Sequence, residues 1–155
     1  WYKRTMRYRS SSSAATKKLG ELLAHAVGEA GLVRHARVVA LTGPLGAGKT
    51  TFVQGFSRGL GARTSVKSPT FIIVRRTTLR RSPFRNLFHM DAYRLDGPRD
   101  LKLLGFADTL TDPKNVILIE WADRIRAALP KNTIIVRFAH GRKDTERLIS
   151  FGASN

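Results

Sequence analysis

The chain contains no cysteine. Disulfide staples and thiolate metal sites are therefore excluded, and a reducing compartment is permitted. Acid is also scarce: before Asp91 the only carboxylate side chains are Glu21 and Glu29. No run approaches the roughly 18 consecutive apolar residues that span a bilayer; the longest apolar runs, Arg37–Thr42 and Val116–Ile119, have strand length. The histidines His25, His35, His89 and His140 show no zinc-ligand spacing. There is no N-K-x-D segment of the kind that reads guanine, and no arginine-bearing lid insertion of the kind small-molecule kinases close over phosphates. With no internal repeat and no linker, 155 residues fit one domain around one core.

Positive charge is what the chain has in excess, with 28 Lys and Arg against 11 Asp and Glu and a net charge of +17. That balance implies an acidic partner, an acidic surface, or a lineage rich in basic residues. Arg75, Arg76, Arg80, Arg81 and Arg85 cluster without a nearby acid in sequence. The cluster reads either as a polyanion contact or as a solvated face. The first fifteen residues are basic, Ser-rich and acid-free. We expect a disordered tail over 1–12, with an organellar transit signal as the minor alternative, and a single domain over 13–155.

Leu19, Leu22, Leu23, Ala26, Val27 and Ala30 recur at helical spacing, which predicts an amphipathic helix over 15–30 with serine caps before it and Gly31 after it. The β-branched run at 37–42 predicts a buried strand. Helical spacing resumes over 50–60 and stops at Gly59 and Gly61. Further on, we expect a rigid loop at Ser68-Pro69-Thr70, a strand at 71–74, an Arg-rich hairpin connection at 75–85 and a returning strand at 86–90. A short helix at 100–104, a buried strand at 116–119, a helix at 122–129 and closing strands at 133–138 and 147–151 complete the reading. The order implies an α/β fold: a P-loop NTPase-like three-layer sandwich with a central mixed, mainly parallel sheet.

Between the first strand and the second helix lies Gly43-Pro44-Leu45-Gly46-Ala47-Gly48-Lys49-Thr50, which fits G-x-x-x-x-G-K-[ST]. A triphosphate must be wrapped by backbone N–H groups at close range, and glycine supplies the dihedrals and the room. The following helix offers unpaired N–H groups and the positive end of its dipole. Candidate phosphate-binding residues are therefore Leu45, Gly46, Ala47, Gly48, Lys49, Thr50 and Thr51. Lys49 reaches the β- and γ-phosphates, and the Thr50 hydroxyl suits Mg²⁺, which prefers oxygen donors. A P-loop ATPase also needs an acid at a strand end. Glu120 ends the cleaner apolar run and is the first candidate for the metal side. Asp91 ends the other run and is the candidate for positioning water or a metal ligand. Each acid has the alternative of simply capping the turn that follows. Thr70 is either a hydroxyl near the metal or part of an ordinary Pro turn. Trp121 and Tyr93-Arg94 stay open between core, phosphate and partner roles. No arginine finger is evident in cis, so intrinsic turnover should be slow.

Taken together, the Thr16-containing helix, GPLGAGKTTFVQGFSRGLG (43–61), VKSPTF (66–71), FHMDAYRL (88–95), the LxxLGFxD segment (101–108) and VILIEWADR (116–124) resemble the TsaE (YjeE) family. The resemblance covers roughly residues 13–150. It implies a cytoplasmic protein that binds and slowly hydrolyses ATP with Mg²⁺ and is not a membrane protein. It implies work beside a TsaB–TsaD pair, in which TsaD transfers a threonylcarbamoyl group to the adenosine beside the tRNA anticodon. It also implies Mg²⁺ on Thr50 and Glu120, adenine near Ser13 to Thr16, and an activity role for Asp91. With Lys49, Asp91 and Glu120 form the implied catalytic set. The tRNA would be met indirectly or through the basic hairpin at 75–85. A small-molecule P-loop kinase is the alternative. Family members are often acidic or near neutral, and the charge of +17 departs from that.

Overall fold

A computed structural model describes residues 6–62 and 74–153. Seven strands form one sheet in the order β1-β7-β6-β2-β5-β4-β3. These are β1 Met6–Ser10, β2 Arg37–Thr42, β3 Val74–Thr78, β4 Asn86–Asp91, β5 Asn115–Glu120, β6 Ile134–His140 and β7 Arg147–Ala153. The four central strands, β6, β2, β5 and β4, run parallel. Antiparallel strands close both edges, β3 on one side and β7 with β1 on the other.

Two apolar layers lie on the two faces of this sheet, because both faces of the central strands are apolar. Val39, Leu41, Val116 and Leu118 point to the face covered by α1 (Ser13–Glu29) and α2 (Lys49–Gly59), where they meet Phe52, Val53 and Phe56. Val38, Ala40, Ile117 and Ile119 point to the opposite face, against α3 (Pro98–Leu103) and the 3₁₀ segment Ala122–Ala128. The result is the expected α/β three-layer sandwich. α1 starts on Ser12, whose hydroxyl accepts the Ala15 N–H at 3.1 Å. The α1–α2 contact is unusually close. A Cβ added at Gly20 would sit 2.3 Å from the Phe52 carbonyl oxygen, and one at Gly55 would sit 2.0 Å from that of Lys17.

Four expectations change. Residues 6–10 are not a disordered tail: they form β1, with Met6 paired to Phe151 and Ser10 to Arg147. β7 would otherwise be an open edge, and the pairing satisfies its backbone. The Arg-rich segment is only partly a connection, because 75–78 belong to β3. Residues 122–129 are not an α-helix. Trp121 enters with φ 56° and Ile125 has φ −119°, so the chain makes tight 3₁₀ turns that bury Ile125 completely. A further helix, α4 (Ala107–Thr111), follows Gly105. The loop at Ser68-Pro69-Thr70, with the first residues of the strand expected at 71–74, lies outside the described residues.

Candidate nucleotide site

β2 delivers the chain to the C-terminal end of the parallel strands, and the loop there has its conformation enforced by glycine. Gly43, Gly46 and Gly48 have φ of 134°, 72° and 95°. At Gly43 an added Cβ would also fall 2.3 Å from the Phe138 carbonyl oxygen, so the loop is pressed onto β6. His140 of β6 donates Nε2–H to the Leu45 carbonyl at 3.2 Å and tethers the loop from the side. α2 then opens without a side-chain cap, and its hydrogen-bond ladder begins with Phe52 N–H donating to Gly48 C=O at 2.9 Å. The amides of the first turn thus precede the ladder, which is the arrangement that favours an anion.

Lys49 is buried in this turn, 5% exposed. Its ammonium donates to the carbonyls of Gly43 and Pro44 at 2.7 and 2.8 Å and lies 3.9 Å from the centre of the Trp121 ring. Burial lowers its pKa below the usual lysine value, and the negative charges of Glu120, Asp123 and Asp91 offset part of that. Across the cleft, Thr50 Oγ1 is 2.9 Å from Glu120 Oε2 and 3.1 Å from Oε1. Glu120 also accepts His89 Nε2–H at 2.8 Å, with both side chains under 5% exposed. Among the described residues His89 Nδ1 is buried without a partner. Asp91 stands directly beside Glu120 in the β4–β5 register. Its Oδ1 accepts the Tyr93 N–H at 2.9 Å, so it caps the turn after β4 while lining the cleft.

The cleft has a volume of about 460 Å³ and is lined by Leu45, Gly46, Gly48, Lys49, Thr50, Thr51, Asp91, Tyr93, Glu120 and Trp121. Most of the sequence-derived candidates therefore converge. Three do not line it. The Ala47 methyl is buried in the core under the loop. Ser13 is exposed in the first turn of α1. Thr16 is buried, with its hydroxyl 2.8 Å from Ser10 Oγ and 3.2 Å from the Ser12 carbonyl, and its methyl packs beside Gly48. Thr16 thus buttresses the loop from α1. His89 was passed over among scattered histidines. Strand alternation held the signal: His89 and Asp91 are two apart on β4 and share a face. Trp121 and Tyr93, left open above, form one wall, with their rings 5.1 Å apart.

The donor set fits a magnesium nucleotide. Thr50 hydroxyl and Glu120 carboxylate are hard oxygen donors already within 3.1 Å of each other. No cluster of three or more His, Cys, Asp or Glu able to hold a metal occurs among the described residues. Magnesium takes one or two protein oxygens and completes its shell with phosphate and water.

The family model described as "Threonylcarbamoyl adenosine biosynthesis protein TsaE" matches residues 10–149. The "tRNA threonylcarbamoyladenosine biosynthesis protein TsaE" of Bacillus subtilis is 36% identical over 149 residues, covering 96% of this chain and 85% of that protein. The protein of the same description from Streptomyces coelicolor is 40% identical over 116 residues, 74% of this chain and 76% of its own. That from Treponema pallidum is 34% identical over 131 residues, 84% and 89%. Among solved structures, that of Bacillus subtilis YdiB superposes with a TM-score of 0.74 at 29% identity, over 98% of this chain and 87% of YdiB. A family match across most of the chain, over a fold and loop built as described, means that this protein belongs to the TsaE family of threonylcarbamoyl adenosine biosynthesis proteins.

Proposed function

We propose that the chain binds ATP with Mg²⁺ in the cleft beside Lys49 and hydrolyses it slowly, as an accessory to tRNA threonylcarbamoyladenosine formation. The observation that carries this reading is the pairing of Thr50 with Glu120, 2.9 Å apart, at the mouth of the glycine-rich turn. Bound magnesium neutralises charge on the phosphates. Thr50 and Glu120 would hold it, and the amides of Gly46 to Thr51 would take the phosphate oxygens. Phosphate oxygens compete with the Gly43 and Pro44 carbonyls for the Lys49 ammonium protons. His89 fixes the Glu120 carboxylate from behind. Asp91, the register partner of Glu120 on the neighbouring strand, would orient an attacking water.

Among the described residues no arginine lines the cleft, so hydrolysis by the chain alone would be slow and a partner would supply what is missing. The partners named by the resemblance, a TsaB–TsaD-type pair, would dock at this cleft, with the cytoplasm as the compartment. No helix among the described residues is long and apolar enough to cross a membrane. The test is an ATPase assay with and without those two proteins and tRNA. Stimulation only by the full set is the expected result. Efficient phosphoryl transfer to a small acceptor would favour the kinase alternative. Calorimetry showing no ATP uptake at millimolar concentration would end the reading.

A further inference from the structure

The basic hairpin and the nucleotide cleft occupy opposite poles of the sheet. β4 runs from Asn86 to Asp91 parallel to β2, so the loop 79–85 sits at the end where the parallel strands begin. At about 3.3 Å per residue, the length of β4 puts that loop about 17 Å below the level of Asp91. Its arginines therefore cannot serve the cleft as a finger in cis.

The loop is held rigidly. Leu79 N–H donates to the Arg85 carbonyl at 2.8 Å, and Phe84 N–H donates to Ser82 Oγ at 3.3 Å. Arg85 N–H donates to the Lys114 carbonyl at 2.7 Å, which ties the loop to the segment before β5. Leu79 and Phe84 are buried in the core. Arg80, Arg81, Arg85 and Lys114 are all exposed. Among the described residues none of their side chains has a carboxylate partner, whereas Arg76 is committed to Asn86 Oδ1 at 3.0 Å. The neighbouring acid is Asp112, whose carboxylate accepts the Lys114 amide. Four exposed positive charges thus stand on an ordered backbone, with Asp112 the acid nearest to Lys114 in sequence.

From this placement we propose that the 79–85 loop, with Lys114, is a docking surface for the phosphate backbone of a folded RNA. The chemistry of the loop selects this partner. A protein interface of any strength needs a buried aromatic or aliphatic anchor at its centre. Here Leu79 and Phe84 are turned into the core, and Pro83 is the one apolar residue left exposed. Charge alone is on offer, on a backbone already ordered, and that matches a polyanion. The choice of RNA among polyanions rests on the reading of the chain as a tRNA-modification accessory. The geometry leaves the opposite pole free for nucleotide and protein partners at the same time.

The experiment measures binding of an unmodified tRNA transcript to the full chain by fluorescence anisotropy, without nucleotide, over a salt series. Three proteins are compared: the wild type, the triple variant Arg80→Gln, Arg81→Gln, Arg85→Gln, and a charge-matched triple variant Arg7→Gln, Arg99→Gln, Arg142→Gln. Each phosphate contact contributes about 0.9 to the slope of log K against log salt. The hairpin variant should lose at least about tenfold in affinity at 0.1 M salt and about 2 to 3 in slope. The control should lose far less. Equal losses in both variants, or a wild type that does not bind tRNA, would overturn the proposal. So would a hairpin variant that keeps tRNA but loses an acidic protein partner. ATP uptake by the hairpin variant, measured separately, should match the wild type. A chain that binds tRNA through the loop but takes up no ATP would refute the proposed function and leave this surface standing.

Discussion

The position most exposed to a single methyl group is Gly55, where α2 crosses α1. An alanine Cβ there would lie 2.0 Å from the Lys17 carbonyl oxygen and 2.6 Å from its carbon. Ordinary contact begins near 3.4 Å, so the two helices must part by 3.4 − 2.0 = 1.4 Å. The obstructing atoms are backbone and cannot rotate away. Overpacking of this kind costs about 1–3 kcal/mol, and a backbone obstruction belongs at the upper end. Alanine in a helix interior returns about 1 kcal/mol over glycine. The net for Gly55→Ala is therefore about 2 kcal/mol of destabilisation. In a chain of this length that lowers Tm by about 4–8 °C. The function should suffer too, because α2 carries Lys49 and Thr50 and a site tolerates displacements of only about 0.5 Å. Gly28 is the internal control. It lies in α1 with nothing within 4 Å of an added Cβ, so Gly28→Ala should raise stability by about 0.5–1 kcal/mol. Differential scanning calorimetry and titration with MgATP on both variants give the answer. A Gly55→Ala protein that melts at or above the wild type would refute the close-crossing argument.

Glu120→Gln keeps the shape and a hydrogen-bond partner for His89 but removes the charge; hydrolysis should fall about 10²–10³-fold, with nucleotide affinity changed much less. Normal hydrolysis by that variant in the presence of partners would remove Glu120 from the metal side. Lys49→Ala should abolish productive triphosphate binding in calorimetry. Because burial lowers the Lys49 pKa, the ammonium loses its proton below the ordinary value of 10.5, so wild-type ATP affinity should decline on the alkaline side before pH 10.5. The same shift makes folding oppose the protonated lysine below its folded pKa, a cost that fades as pH rises toward 10.5. An affinity flat across that range would contradict the shift. Removing residues 1–11 takes away the Tyr8–Phe151 edge-to-face pair and the Ser10 contact to the buried Thr16 hydroxyl. These together are worth about 1–2 kcal/mol. An unchanged melting temperature would mean that β1 contributes nothing.

Much of this protein could be read from local pattern. The loop at 43–50 was legible because phosphate binding restricts residue type at fixed spacing, and the flanking strand and helix carry clean period-2 and period-3.6 signals. Glu120 was legible as an acid ending an apolar run. The 3₁₀ turns at 122–128 were not, because helical spacing there is the same whether the ladder closes at three residues or four. β1 was not, because an edge strand with four exposed residues of five has no apolar pattern to display.

Local sequence by itself determined the fold class, the two-faced burial of the central strands and the identity of the phosphate loop, since each depends on residue types within a few turns of one another. Only the tertiary structure decided that His89 holds Glu120, that Thr16 supports Gly48 from another helix, and that the exposed arginines of the 79–85 loop stand at the far pole. Those relations join segments tens of residues apart, and they are set by strand order and register, which no short-range period encodes.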